Sequence, residues 1–248
     1  MNESTGMLPR PGGEHIAWRA VAGAAPTIVW MSGFRSDMAG TKALALADWA
    51  KAEGRGFLAF DYFGHGASSG DFADGTITRW REDALAAIDE LTKGPLIIVG
   101  SSMGGWIACL AAMVRAQRVA GMVLVAPAAD FTEKLMTPEL SADARSALET
   151  DGVWLRPSLY GDAYPITRTL LEDGARWSIL PGPVPIEAPV RILQGGEDPD
   201  VPWRHALELA QALNSRDLVF SLIRDGDHRL SRPQDIARLL AAVEELCG

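Results

Sequence analysis

Short apolar runs at residues 27–31, 57–60, 96–99, 122–125, 190–193 and 219–223 alternate with longer stretches of helical period at 39–52, 77–91, 103–115, 204–213 and 234–246. No other feature of the chain narrows the fold as much. Strands that are apolar on both faces must be covered on both faces, and a helix between successive strands carries the chain back to start the next one alongside. The pattern therefore predicts an α/β protein with a mostly parallel central sheet and helices on both sides. Residues 15–21 are expected to add an antiparallel edge. The rhythm breaks once, at 130–189, which is too long for an ordinary connection and carries helix-like pieces at 139–150 and 164–173. It is read as an inserted helical cap on a single domain spanning 1–248. Its apolar side chains, Trp154 and Tyr160 among them, are candidates to line a substrate pocket, although each could simply pack the cap onto the sheet.

Composition removes several classes of function. A formal net charge of -9 disfavours nucleic acid and anionic membrane surfaces, and no basic run interrupts it. No apolar stretch is long enough to span a membrane. The two cysteines, Cys109 within an apolar helix and Cys247 at the C-terminal end, offer no disulfide framework and suit a reducing cytosol or an organelle matrix. Residues 1–14 show neither the apolar core of a secretory leader nor an Arg-rich amphipathic pattern, so a cytoplasmic location is expected.

Within the alternation, Gly100-Ser101-Ser102-Met103-Gly104 stands between an apolar strand and an apolar helix. Chance supplies G-x-S-x-G often enough that only context gives it meaning. Here the context is a strand-to-helix elbow, which holds a serine in a strained backbone geometry with its hydroxyl projecting, and which tolerates only small neighbours. Ser102 is thus a candidate nucleophile.

A serine hydroxyl needs a base, and the base needs an orienting group. Of the four histidines, His228 lies in the loop after the last strand, where an imidazole can swing over the elbow; His15 precedes the sheet and His205 falls inside a helix. The acid is expected in Gln194-Gly-Gly-Glu-Asp-Pro-Asp-Val-Pro202, after the penultimate strand. Asp198, held by the following proline, is favoured over Asp200 and Glu197. An oxyanion needs two preorganised donors. The Met103 N–H follows the nucleophile directly, and Ser32-Gly33-Phe34 allows a close approach that offers the Phe34 N–H as the second. Arg35, at the mouth of that loop, is a candidate contact for an anionic substrate group, against the plainer reading of a solvated arginine. Asp61-Tyr-Phe-Gly-His-Gly-Ala-Ser68 is read as a scaffold turn, and His65 as structural.

The chain order Ser, Asp, His, together with Gly33, 61–68, 100–104, 195–202 and Asp227-His228, resembles the α/β-hydrolase superfamily. Gly40-Thr-Lys-Ala43, Trp80-Arg-Glu-Asp83, 99–106, Gly152-Val-Trp154 with Pro157, Ser158 and Tyr160, Val201-Pro-Trp203 and Asp227-His-Arg229 are similar, more narrowly, to mitochondrial palmitoyl-protein thioesterases that also hydrolyse acyl glucuronides. The resemblance implies the α/β-hydrolase fold and a serine esterase or thioesterase. Its substrates would be small-molecule esters or thioesters, S-acylated proteins included, cleaved without cofactor or metal by a monomer or small homo-oligomer. Where many superfamily members have His-Gly, this chain has Ser32-Gly33, which leaves a backbone oxyanion hole possible. Two alternatives are a non-catalytic ligand-binding protein of this fold and a haloperoxidase-like activity.

Overall fold

The structure, a computed structural model, describes residues 3–158, 161–180 and 182–248. Strands β1 (Glu3–Pro9), β2 (His15–Val21), β3 (Ala24–Met31), β4 (Arg55–Phe60), β5 (Leu96–Ser101), β6 (Val119–Val125), β9 (Val190–Gly195) and β10 (Leu218–Ile223) form one sheet in the order β1-β2-β4-β3-β5-β6-β9-β10. From β4 to β10 every pairing is parallel, while β1 and β2 are antiparallel. The sequence missed β1, whose ESTGMLP run buries only Leu8 and so carries almost no apolar signal.

Side-chain alternation splits the core in two. Val29, Met31, Leu58, Phe60, Ile98, Leu124 and Ile192 face α2 (Ile77–Leu91), α3 (Met103–Val114) and α6 (Trp203–Ala212). Ile28, Trp30, Phe57, Ile97, Val99 and Val123 face α1 (Thr41–Ala52) and α7 (Pro233–Cys247). Helix α3 is nearly all buried, as a helix between the sheet and a second helical layer must be.

Between β6 and β9 the expected helical insertion is a mixed one. A π-helical turn (Thr132–Met136) and α4 (Ala142–Thr150) are followed by the antiparallel pair β7 (Val153–Ser158) and β8 (Gly161–Thr167), then α5 (Arg168–Ala175). The helix expected over 164–173 begins only at Arg168. Pro165 drives Tyr164 to extended geometry, and the Thr167 side chain caps the helix by accepting the Leu170 N–H at 3.1 Å. Buried carboxylates tie this segment down. Asp130, fully buried just after β6, accepts from Ser178 Oγ at 2.7 Å, Ile179 N at 3.0 Å and Leu180 N at 2.9 Å. Asp173 on α5 accepts from Thr78 N and Oγ1 at the start of α2, both at 2.7 Å.

Candidate active site

Because strand order reverses between β3 and β5, the loops leaving their C-terminal ends diverge and open a crevice there. Ser102 sits at the end of β5 with φ 54° and ψ -122°, a conformation costing a non-glycine residue about 1–3 kcal/mol. Backbone bonds hold it: its N–H donates to Val125 O at 2.9 Å, and its carbonyl accepts from Gly105 N at 2.9 Å and Ala128 N at 3.1 Å. The flanking glycines are required by contact. A Cβ on Gly104 would lie 2.1 Å from Met31 O, and one on Gly100 would lie 2.4 Å from Gly104 O.

His228, in the loop after β10, places Nε2 3.1 Å from Ser102 Oγ and Nδ1 2.8 Å from Asp198 Oδ2. The Asp198 carboxylate is completely buried and fully engaged. Its Oδ1 accepts from Asp200 N at 2.9 Å and Val201 N at 2.8 Å, and its Oδ2 also accepts from Gln194 Nε2 at 3.2 Å. Gln194, itself fully buried, escaped the sequence reading although it directly precedes Gly195. Asp200 instead lines the pocket, and Glu197 is exposed. Ligating atoms of Asp198, Asp200 and His228 lie within 4.8 Å of one another, the spacing of a possible cation site. With both Asp198 oxygens already accepting and His228 bridging to Ser102, the arrangement suits proton transfer better.

The loop carrying His228 is held by Lys42 of α1, whose ammonium donates to Arg229 O and, at 3.4 Å, to Ser231 Oγ. Burial pulls the Lys42 pKa down to about 8, partly countered by the Asp227 carboxylate. This gives the Gly40-Thr-Lys-Ala43 block a physical reason that its spacing alone did not suggest.

Phe34 follows β3, and a Cβ on Gly33 would lie 3.2 Å from Ser102 Cβ, so this loop runs against the elbow. Met103 is the first residue of α3, where amides lack intrahelical acceptors and the helix dipole is positive. The adjoining cavity, of about 510 Å³, is lined by Phe34, Met103, Phe131, Leu135, Met136 and Tyr164, with Arg35 and Arg156 among its charged walls. The Arg35 guanidinium lies 4.7 Å from the Tyr164 ring centre. Trp154 is not among the lining residues: it packs half-buried against the core, and its neighbours Arg156 and Tyr164, paired across β7 and β8, face the cavity. Tyr160 lies outside the described residues.

The chain belongs to the alpha/beta hydrolase family, whose sequence profile matches residues 18–239. Among its relatives, the mitochondrial palmitoyl-protein thioesterase ABHD10 of Bos taurus is 36% identical over 98% of this chain and 80% of its own length. The structure of alpha/beta hydrolase domain-containing protein 10 from mouse is 33% identical with a TM-score of 0.90, over 98% of both chains. A protein described as a hydrolase from Agrobacterium vitis S4 is 44% identical with a TM-score of 0.96, over 100% of both. The cytoplasmic location expected from the sequence is corrected here, because curated relatives matching 96–98% of the chain are named as mitochondrial. The expectation rested on the pattern of residues 1–14, which does not separate the cytosol from an organelle matrix, and acidic charge with two free cysteines fits either. Among the described residues, no helix is long and apolar enough to cross a membrane.

Proposed function

We propose that the chain is a serine hydrolase of carboxylic esters and thioesters that works through an acyl-enzyme on Ser102. The observation that carries this reading is the unbroken Oγ–Nε2, Nδ1–Oδ2 relay at 3.1 and 2.8 Å, ending on a serine held in a strained elbow. In this reading His228 takes the Ser102 proton as Oγ attacks the acyl carbon. The Phe34 and Met103 N–H groups hold the oxyanion, and Asp198 keeps the imidazole in its Nδ1–H tautomer and stabilises its charge. His228 then protonates the departing alcohol or thiol, and water repeats the sequence to release the acid. No cofactor takes part.

The described residues between 130 and 189 act as the cap over this site, closed on itself by Asp130 against Ser178, Ile179 and Leu180 and held to α2 by Asp173 against Thr78. The apolar wall from Phe34 to Tyr164 suits an acyl chain, and the thioesterase name of the relatives favours an acyl thioester, an S-acylated protein among such substrates. The chemistry is tested by kcat/KM for acyl thioesters and oxygen esters of increasing chain length. Each methylene held by the cavity contributes about 0.8 kcal/mol, so lengthening the chain from four to eight carbons should raise kcat/KM by at least about tenfold. No turnover above background with any substrate would return the chain to the ligand-binding alternative.

A further inference from the structure

The turn after β4 holds a histidine that the relay does not use. His65 is 4% exposed, and its ring lies edge-on to Tyr62, Phe72 and Trp80 at centroid distances of 5.8, 5.2 and 5.3 Å. Both its nitrogens meet backbone. Nδ1 lies 3.0 Å from Phe63 O, and since a carbonyl can only accept, Nδ1 carries the hydrogen. Nε2 is then a lone pair, and the Arg35 N–H donates to it at 3.2 Å. Burial lowers the pKa of this imidazole, opposed by the bond to the Phe63 carbonyl and aided by the Arg35 charge.

The receiving loop needs such a hold. Arg35 has φ 57°, a left-handed conformation unfavourable for a side chain of its size. Two residues earlier, Gly33 O accepts from Ser36 N at 3.0 Å, and peptide planarity turns the Phe34 N–H the opposite way. The peptides on both sides of Phe34 are thus pinned, one by Ser36 and one by His65. The Phe34 N–H itself meets no acceptor among the described residues.

We propose that His65 is a positioning residue for the oxyanion hole: its unprotonated Nε2, by accepting the Arg35 N–H, fixes the direction in which the Phe34 N–H is presented beside Ser102. The inference rests on the serine-hydrolase reading above. It assigns the scaffold turn a part in the reaction that its sequence did not disclose. Removing the acceptor takes away the 3.2 Å bond from the Arg35 N–H and loosens the turn that holds its left-handed geometry. The loss then falls on the transition state, where the oxyanion exists, and spares ground-state binding.

The test compares His65→Phe, which keeps an aromatic ring among Tyr62, Phe72 and Trp80, with His65→Gln, whose Oε1 reaches the place of Nε2. Expected is a fall in kcat of about 10- to 100-fold for His65→Phe with KM within about threefold, and recovery of most of that loss in His65→Gln. A long-range 1H–15N spectrum of the parent should show the neutral Nδ1–H tautomer for His65. The assignment is overturned if folded His65→Phe turns over within about threefold of the parent, if both variants lose kcat equally, or if the spectrum shows Nε2–H. Should His65→Phe fail to fold, the spectrum and the His65→Gln kinetics still decide. Ser102→Ala run beside them separates the two levels: full activity there would sink the serine-hydrolase reading, whereas an inert Ser102→Ala with a fast His65→Phe removes only the role of His65.

Discussion

A Ser102→Ala protein is expected to fold as the parent does and to lose about 10⁶-fold in kcat. The backbone bonds that hold the elbow, from Ser102 N to Val125 O and to Ser102 O from Gly105 N and Ala128 N, do not involve the hydroxyl. Alanine keeps the Cβ and the strained φ of the parent, and only the Oγ contact to His228 is lost. Stability should therefore change by no more than about 1 kcal/mol, read as the urea midpoint. The loss of turnover has no local rescue. Ser101 is buried in β5, and Cys109, one turn and a half into α3, is buried with its thiol pushed up to about 12. An alanine protein that keeps even a tenth of parental turnover would contradict the assignment of the nucleophile.

Asp198→Asn is expected to lower kcat by about 10⁴-fold while leaving KM nearly unchanged. The carboxylate accepts on both oxygens, from Asp200 and Val201 amides on Oδ1 and from Gln194 Nε2 and His228 Nδ1 on Oδ2. An asparagine must turn its NH2 toward one pair of donors. Toward the backbone it would set N–H against two N–H groups; toward His228 it would crowd Gln194 and force Nδ1 to become the acceptor. That second arrangement moves the imidazole proton to Nε2, the atom that must receive the serine proton. A near-normal kcat in a correctly folded Asp198→Asn variant would show that Asp198 does not set the tautomer.

The alternation of apolar runs and helical stretches was legible because burial on both faces of a parallel sheet writes itself directly into residues such as 96–99 and 122–125. Helix α2 emerges with the bounds the period predicts, 77–91, helped by the Thr76 cap, whose Oγ1 accepts from Arg79 N at 3.1 Å. Ser102, Asp198 and His228, which the structure brings together, were grouped for a different reason: each sits in a loop at the C-terminal end of a strand, so chain order supplied what spacing could not. Less legible was everything that depends on long-range contact. The end of β8 is taken for helix because Tyr164 to Thr167 is too short to show a period, although Pro165 and the capping Thr167 hold the signal, and β7 carries no pattern strong enough to be read at all. Trp154 and Arg156 share a strand face, yet only the folded hairpin decides that Arg156 meets the cavity and Trp154 the core. Lys42 meets Arg229 and His65 meets the Arg35 N–H from distant parts of the chain, which no local pattern records, whereas Gln194 bonds Gly195, Asp198 and Val201 within its own loop, where a single buried glutamine has no period to reveal it.

If Ser102 forms the covalent intermediate, that intermediate can be trapped on it. The parent, exposed to a fluorophosphonate and analysed by intact mass and peptide mapping, should gain a single phosphonyl group on the peptide containing Ser102. Prior saturation with a slowly hydrolysed acyl thioester should block that gain, and Ser102→Ala should show none. A phosphonyl group found on another residue, or equal labelling of Ser102→Ala, would show that Ser102 is not the nucleophile.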